Sequence, residues 1–236
     1  MNFERANQYD KTMVQHCMMG PNVLKLTEKL CTKLDLQPGM RVLDLGCGKG
    51  LSSLFLAKEY GVQVYATDLW ISPTENYQRF LQQGVAQTIV PIYGEATKLP
   101  YAENFFDVAV SVDSYHYFGA NGWYLDKHLS PLVKPGGKIA IAVPGIQREL
   151  GKIPQEMQPY WNQEVMETFH SCTWWSGIFG NSQKTSLLSI EEIEEKEEIW
   201  LACEENPYAV GDRDMIKADA GKYMNLISVW LERNKD

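Results

Sequence analysis

The sequence lacks long apolar runs, an excess of basic residues and a secretion signal. No stretch approaches the ~18 consecutive apolar residues of a transmembrane helix, and residues 1–5 begin no apolar signal core. The 22 lysines and arginines are outnumbered by 30 acidic residues, so the net charge is −8. Nucleic-acid binding depends on neutralising phosphates, and no basic stripe is present for that purpose. We therefore expect a cytoplasmic protein without nucleic-acid or membrane partners.

Cysteines are few and scattered. They are Cys17, Cys31, Cys47, Cys172 and Cys203. The number is odd and no two form a C-x-x-C pair, so we predict reduced thiols with neither a disulfide framework nor a metal site. The alternative is a thiolate site for a soft metalloid such as arsenite, which would require Cys17, Cys172 and Cys203 to converge.

Residues 42–50 carry the most information in the chain. They read V-L-D-L-G-C-G-K-G, an apolar run followed by Gly46, Gly48 and Gly50 at alternate positions. Glycine tolerates positive φ and has no Cβ, so such a loop can bring bare backbone N–H groups against a ligand. Residues 51–60 predict a helix whose N-terminus favours negative charge. The spacing differs from the G-x-G-x-x-G of nicotinamide-dinucleotide sites.

Strands and helices are predicted to alternate along the chain. The predicted strands are 41–45, 62–67, 88–93, 106–112, 138–143 and 223–231, and the predicted helices are 23–34, 51–60, 73–83, 123–132 and 154–169. Residues 134–137 predict a turn, and residues 187–202 fit either a strand or a helix. This alternation predicts an α/β protein with a doubly wound parallel sheet. A chain of 236 residues without repeats or linkers suits one domain, 1–236.

Three further segments extend the glycine-loop pattern. Asp68 ends the strand predicted at 62–67, about 20 residues after the first glycine, where doubly wound folds place a ribose-binding carboxylate. Residues 93–100 read Y-G-E-A-T-K-L-P, and residues 105–112 read F-F-D-V-A-V-S-V. In this order, the four segments resemble class I S-adenosylmethionine (SAM) methyltransferases of the small-molecule type. That group includes ubiquinone/menaquinone and glycine/sarcosine methyltransferases.

The resemblance implies a more detailed architecture. It implies a Rossmann-like, seven-stranded, mostly parallel sheet. A helical lid is expected at 1–35 and a SAM-binding core at 36–145. A substrate-side cap and the C-terminal strands are expected at 146–236, with a helical, aromatic insertion after the fifth strand.

The resemblance also implies a cofactor site for SAM, with S-adenosylhomocysteine (SAH) as the product. Its expected members are Asp44, Gly46, Cys47, Gly48, Gly50, Asp68, Leu69, Glu95, Ala96 and Ser111. By resemblance, the glycine loop cradles the methionine moiety and Asp68 holds the ribose. Glu95 stands where the family commonly has aspartate and would accept from the adenine amino group. The Ser111 carbonyl would accept from the ammonium group.

Residues beyond the fourth strand are the candidates for methyl transfer. His116 is a candidate base because its ordinary pKa lies near neutrality; alternatively it holds the cofactor's carboxylate or orders a loop. Asp113 either orients His116, binds an ammonium substrate or caps the next turn. Tyr9, in the lid, is predicted to contact the SAM carboxylate.

The predicted insertion is rich in aromatic residues: Tyr160, Trp161, His170, Trp174 and Trp175. Such rings either form a cage for an amine or quaternary ammonium or bury area against neighbouring helices.

The leading hypothesis is a SAM-dependent methyltransferase acting on a small molecule, as a monomer or a homodimer. The sequence leaves open whether carbon, nitrogen, oxygen or sulfur accepts the methyl group. The N-P-P-Y-type tetrapeptide typical of methylation of amino groups in nucleic acids and proteins is replaced by D-S-Y-H at 113–116. The alternatives are a non-catalytic SAM-binding regulator and a nicotinamide-dependent oxidoreductase.

Overall fold

One seven-stranded sheet forms the centre of the computed structural model, which describes residues 1–207 and 209–235. The strands are β1 (Arg41–Leu45), β2 (Gln63–Asp68), β3 (Ile89–Tyr93), β4 (Phe106–Val112), β5 (Val133–Ile146), β6 (Thr185–Glu192) and β7 (Met224–Arg233). Their order across the sheet is β3-β2-β1-β4-β5-β7-β6. The first five strands run parallel, and β7 is antiparallel to both β5 and β6. The predicted doubly wound, mostly parallel α/β fold is confirmed.

Helices cover both faces of the sheet. Within the described residues they are α1 (Lys11–Cys17), α2 (Val23–Cys31), α3 (Leu51–Tyr60), α4 (Pro73–Gln82), α5 (Gln163–Thr168), α6 (Cys172–Gly180), α7 (Lys196–Glu204) and α8 (Val210–Asp219). None of them is long and apolar enough to cross a membrane.

The buried apolar side chains form two clusters, and the side chains of β1 alternate between them. Val42 packs in the cluster that contains α2 and α3, whereas Leu43 and Leu45 pack in a second cluster with Trp175. Both faces of a central parallel strand are buried under helices, so β1 reads as a nearly continuous apolar run. Asp44 lies on the same face as Val42 and therefore points toward α3.

Three local predictions were wrong or incomplete. The turn predicted at 134–137 is a bulge inside the longer strand β5, where Gly136 has φ +78°. Instead of one helix over 154–169, a 3₁₀ turn (Gln155–Met157) precedes α5, because Pro159 interrupts the segment.

The helix predicted over 123–132 was also too regular. A π-helical turn (Leu125–Leu129) leads directly into a 3₁₀ turn (Ser130–Leu132). Pro131 has no N–H with which to continue a helical ladder. Residues 187–202, left open between strand and helix, are divided between β6 and α7.

The N-terminal segment meets the insertion between β6 and β7 to form one cap, which we define as α1, residues 18–22, α7 and α8. Cys203 Sγ donates to the Gly20 carbonyl at 2.7 Å, and the Asn22 N–H donates to the Ile199 carbonyl at 3.3 Å. Lys11 also forms an ion pair with Glu205 at 2.8 Å. The cap therefore joins segments that lie almost 200 residues apart in the sequence.

Candidate functional site

A cavity of about 310 Å³ opens at the carboxyl ends of β1, β2 and β4. Here the strand order reverses on either side of β1, which is where doubly wound sheets bind ligands. Its volume is at the lower end of the ~300–1,000 Å³ typical of small-molecule pockets. Of the residues predicted from sequence, the lining includes Gly46, Cys47, Gly48, Asp68, Leu69, Glu95, Ala96 and Asp113.

The glycine loop forms the floor of this cavity. Gly46 and Gly48 have φ of +75° and +52°, a region that side-chain-bearing residues rarely adopt. A Cβ at Gly46 would come within 2.3 Å of Ser114 Oγ, so this position also lacks space for a side chain. Gly50 lies outside the lining; it is the N-cap of α3, and a Cβ there would meet Phe80 at 2.5 Å.

Asp68 connects the end of β2 with the glycine loop. Its Oδ2 accepts from the Gly48 N–H at 2.7 Å, and its Oδ1 accepts from the Trp70 and Ile71 N–H groups at 2.7 and 2.9 Å. Each carboxylate oxygen can accept about two hydrogen bonds, so Oδ2 keeps capacity for one further donor. Three backbone donors thus hold a partly available carboxylate at the cavity wall.

Asn76, which the sequence analysis missed, supports the loop from α4. The side chain is buried, and its Nδ2 donates to the Gly48 carbonyl at 2.9 Å. Arg79 in turn donates to Asn76 Oδ1 at 2.8 Å. The only sequence signal was a polar residue on the inner face of a predicted helix.

Asp44 lies beneath the loop and not on the cavity wall. Its Oδ2 accepts hydrogen bonds from the Ser52 and Ser53 hydroxyls, both at 2.6 Å. Burial raises the pKa of Asp44 to about 6, although these two hydroxyls act to lower it. Asp44 therefore links β1 to the first turn of α3, and it does not line the cavity.

The segment after β3 reaches the cavity through Glu95 and Ala96. The Glu95 carboxylate accepts from Thr97 Oγ1 at 2.6 Å and from Lys98 Nζ at 3.0 Å, and these hydrogen bonds lower its pKa. The Tyr124 hydroxyl donates to the Ala96 carbonyl at 3.1 Å. Glu95 is therefore a charged, exposed side chain at the edge of the cavity.

Ser111 is buried and lies behind the lining. Ser111 Oγ donates to the Leu45 carbonyl at 3.0 Å and lies 2.7 Å from Ser114 Oγ. Ser114 was not predicted; it lines the cavity and itself donates to the Leu45 carbonyl at 2.8 Å. This hydroxyl pair ties the end of β1 to the chain after β4.

The structure separates the two candidate catalytic residues. Asp113 lines the cavity, whereas His116 is 2% exposed and is not part of the lining. His116 Nδ1 is buried without a hydrogen-bond partner among the described residues, and Phe169 packs edge-on against its ring. Burial lowers the pKa of His116 to about 3, so the imidazole is neutral at pH 7. Asp113 does not orient His116 through a hydrogen bond.

Tyr9 does not reach the cavity. Its hydroxyl donates to Glu59 Oε1 at 3.0 Å, and its ring stacks on Phe55 with centroids 5.9 Å apart. The lid residues at the cavity are instead Cys17, Met19 and Val23. Tyr9 therefore belongs to the packing of α3 against the N-terminal segment.

The aromatic insertion also packs away from the cavity lining. Trp175 is fully buried and stacks on Phe179 at 5.5 Å, while Trp174 stacks on the ring of His170 at 3.6 Å. Trp161 is buried as well, and Tyr160 is exposed. These rings therefore bury area against neighbouring elements, which was one of the two alternatives, and they form no cage at the cavity.

The three cysteines considered for a metalloid site do not converge. Cys17 and Cys203 belong to one hydrophobic cluster, whereas Cys172 packs against the other. Cys47 lines the cavity, but burial raises the pKa of its thiol well above the ordinary value. In the described part of the chain, no group of three His, Cys, Asp or Glu residues could hold a metal ion.

Comparison with known proteins shows which domain the central part of the chain resembles. Residues 42–137 match the family model described as a methyltransferase domain. The 27-O-demethylrifamycin SV methyltransferase of Amycolatopsis mediterranei (strain S699) is 30% identical over 118 residues, which are 50% of this chain and 43% of that protein. By this match, residues 42–137 resemble a methyltransferase domain. The resemblance in the four sequence segments is thereby confirmed.

The names of the curated relatives specify different substrates. The glycine/sarcosine/dimethylglycine N-methyltransferase of Actinopolyspora halophila is 31% identical over 123 residues, which are 51% of this chain and 21% of that protein. The alignments thus span less than half of these curated relatives. The range matched by the family model, residues 42–137, contains the glycine loop and the Asp68 and Glu95 segments and none of the cap.

Solved structures extend the likeness to the whole fold. Phosphoethanolamine N-methyltransferase 2 of Haemonchus contortus, in complex with SAM, has a TM-score of 0.76 at 18% identity and covers 100% of this chain and 60% of that chain. The [4+2]-cyclase SpnF has a TM-score of 0.73 at 15% identity, and the match covers 100% of this chain and 97% of that chain. Because one neighbour is named a cyclase, the fold by itself does not decide the reaction.

Proposed function

We propose that the protein transfers the methyl group of SAM to a small-molecule acceptor and releases SAH. The observation that carries this proposal is the Asp68 carboxylate, fixed by the Gly48 N–H at 2.7 Å, on a cavity at the carboxyl ends of the parallel strands. The methyltransferase-domain match and the acidic net charge of −8 support a small-molecule acceptor over nucleic acid.

The cavity residues fit SAM in shape and in donor chemistry. Gly46 and Gly48 adopt positive φ and carry no Cβ, so the loop backbone can lie directly against the ligand. Asp68 Oδ2 retains capacity to accept one ribose hydroxyl. Leu69, Glu95 and Ala96 form the wall on which the adenine would lie.

SAM, when bound, supplies a methyl group already activated on a sulfonium. The work left for the protein is to position the acceptor in line with that methyl group and to exclude water. Asp113, Ser114 and Tyr117 lie on the cavity wall beyond β4 and would contact the acceptor. Met19 and Cys17, contributed by the N-terminal segment, also line the cavity.

His116 has no proton-transfer role in this proposal. Its ring is buried outside the lining, and a pKa of about 3 makes the imidazole a weak base at pH 7. A neutral, buried histidine packed against Phe169 and Tyr117 instead fixes the turn that follows β4. Any base for the acceptor must therefore come from the lining, where Asp113 is the ionisable group nearest the end of β4.

Calorimetric titration with SAM, SAH and NADH tests the cofactor assignment. We expect micromolar binding of SAM and SAH, none of NADH, and loss of SAH binding in Asp68→Ala. Binding of NADH alone would support the oxidoreductase alternative. Tight SAH binding without methyl transfer to any acceptor class would support the regulator alternative.

A further inference from the structure

Asp113 lines the cavity, and its carboxylate lies against the cap. It follows β4 with φ +56°, and its N–H donates to the Ala142 carbonyl at 2.8 Å, which fixes the backbone. Its Oδ2 lies against Gly20 of the cap, where an added Cβ would approach to 2.3 Å. Among residues 1–207 and 209–235, no side chain or backbone group forms a hydrogen bond or ion pair with this carboxylate. A half-buried carboxylate without a partner calls for a positively charged or hydrogen-donating ligand.

Two further acids, Asp212 on α8 and Glu164 on α5, act through their charge on groups of this cavity wall. Burial and then the charge of Asp212, on α8, raise the pKa of Asp113 to about 8. Burial and then the charges of Asp113, Glu164 and Asp212 raise the pKa of Tyr117. Among the described residues, no lysine or arginine counteracts these effects at either group. This end of the cavity is therefore acidic in composition.

The lysine on the cavity lining does not neutralise these acids. Lys49 Nζ donates to the His16 carbonyl at 2.9 Å and so is held toward α1. It exerts no resolved effect on the pKa of Asp113. The acidic end of the cavity thus remains without a cation from the described part of the chain.

Aromatic rings adjoin this acidic region. Trp70 and Tyr117 both line the cavity, and their rings meet edge to face with centroids 5.4 Å apart. They are 66% and 49% exposed, so their faces are available to a ligand. Exposed aromatic faces beside a carboxylate attract ammonium groups through cation–π and charge interactions.

We propose that the methyl acceptor is a cationic amine whose nitrogen binds between the Asp113 carboxylate and the rings of Trp70 and Tyr117. This inference rests on the proposed methyltransferase function and names the acceptor class for the same cavity. It involves Asp113 and Tyr117 on the wall beyond β4, and Trp70, which follows Asp68 and Leu69 on the neighbouring wall.

The proton and electron balance gives Asp113 a second role. The bound ammonium nitrogen loses one proton to the Asp113 carboxylate, which frees the nitrogen lone pair. The N–C bond then forms as the C–S bond of the sulfonium breaks, and the bonding pair remains on sulfur as a neutral thioether. In the unliganded protein burial raises the pKa of Asp113 to about 8, so binding of the cation at neutral pH releases the carboxyl proton to solvent and leaves the carboxylate that accepts this proton.

A binding experiment on the full chain separates charge recognition from cofactor binding. The protein is saturated with SAH, and tetramethylammonium chloride and the similarly sized neutral tert-butanol are titrated in separate calorimetric runs. We expect the cation to bind at least 10-fold more tightly than the alcohol. Asp113→Asn should remove that preference, since asparagine also tolerates positive φ and keeps the fold. Asp214→Asn, an exposed acid on the same helix as Asp212, is the matched control.

Turnover with matched acceptors supplies the second readout. Primary and secondary amines should be methylated in preference to alcohols, thiols and carboxylic acids of the same size. Asp113→Asn should either raise KM for the amine or lower kcat, in each case at least 30-fold. Its Kd for SAH should be unchanged, and Asp214→Asn should keep the wild-type KM and kcat. Equal binding of the cation and tert-butanol, or methylation confined to uncharged acceptors, would overturn the inference. Failure of SAH itself to bind would instead refute the proposed function.

Discussion

The Asp68 carboxylate accepts a hydrogen bond from the Gly48 N–H across 2.7 Å, which joins the end of β2 to the loop after β1. Two more N–H groups, of Trp70 and Ile71, hold the other oxygen. One acid thus shapes the loop and offers its remaining lone pair to the cavity. Loop geometry and ligand binding are therefore expected to depend on the same side chain.

Asp68→Ala should weaken SAH binding at least 30-fold. The substitution removes a ribose acceptor and leaves three N–H groups without their carboxylate, and a hydrogen bond to a charged group contributes about 1.5–3 kcal/mol. Isothermal calorimetry measures the change. Glu103→Ala, at an exposed acid outside the cavity lining, is the control and should leave the Kd unchanged. A loss of less than 3-fold in Asp68→Ala would refute the role of this carboxylate.

Asn76→Ala should destabilise the protein and weaken SAH binding together. The buried amide donates to the Gly48 carbonyl, and removing it leaves that acceptor unsatisfied at a cost of about 1–3 kcal/mol. Urea denaturation gives the stability change, and calorimetry should show a 3- to 10-fold higher Kd for SAH. Tyr77→Ala, the exposed neighbour on α4, controls for helix effects. Unchanged SAH affinity in Asn76→Ala would mean that the loop does not need this support.

The sequence predicted the parallel core well because its signals are local. The strands β1 and β2, the helix α3 and the glycine loop each follow from consecutive residues such as 42–50. The loop needs glycine wherever φ is positive, and this requirement is visible in the sequence itself. The placement of Asp68 beside Gly48 follows from the adjacency of β1 and β2 in the parallel sheet.

The rest of the site depends on contacts that no local pattern encodes. The charge of Asp212 acts on Asp113 although the two residues lie about 100 positions apart in the sequence, because α8 packs against α7 and α7 contacts Gly20. Tyr9 was expected to contact the cofactor, but its hydroxyl donates a hydrogen bond to Glu59 on α3. His116 follows β4 as expected, yet the turn directs its ring toward Phe169. Side-chain direction after a strand is set by tertiary packing.

Tyr9→Phe should leave the Kd for SAH unchanged within 2-fold. The ring still stacks on Phe55, and the variant loses only the hydrogen bond to Glu59, which contributes about 0.5–1.5 kcal/mol to stability. Thermal denaturation should show that small loss. A 10-fold weaker SAH affinity with unchanged stability would restore the earlier prediction that Tyr9 contacts the cofactor.

Asp113→Asn should stabilise the unliganded protein at high pH. The native pKa of Asp113 is raised to about 8, above the ~3.9 of an unfolded aspartate, so the native state binds the extra proton between these values. Stability contributed by this group therefore falls as the pH rises from about 4 to 8. Asparagine does not ionise, so the stability of the variant does not fall with pH through this position.

The magnitude expected for Asp113→Asn is on the order of 1–2 kcal/mol at pH 9, reduced because the carboxylate contacts a solvent-accessible cavity. Urea midpoints for both proteins at pH 5 and pH 9 measure the difference. The gap between variant and wild type should widen toward pH 9. A gap that narrows with rising pH would show that Asp113 is ionised and stabilised in the native state.

Transfer of a labelled methyl group tests the central claim most directly. The purified protein is incubated with [methyl-³H]SAM and a metabolite extract, with Asp68→Ala as the negative control. Label is then counted in the small-molecule, protein and nucleic-acid fractions. We predict label in the small-molecule fraction with an equimolar amount of SAH, and at least 30-fold less with Asp68→Ala. Label confined to protein or nucleic acid, or no transfer despite tight SAH binding, would contradict the account.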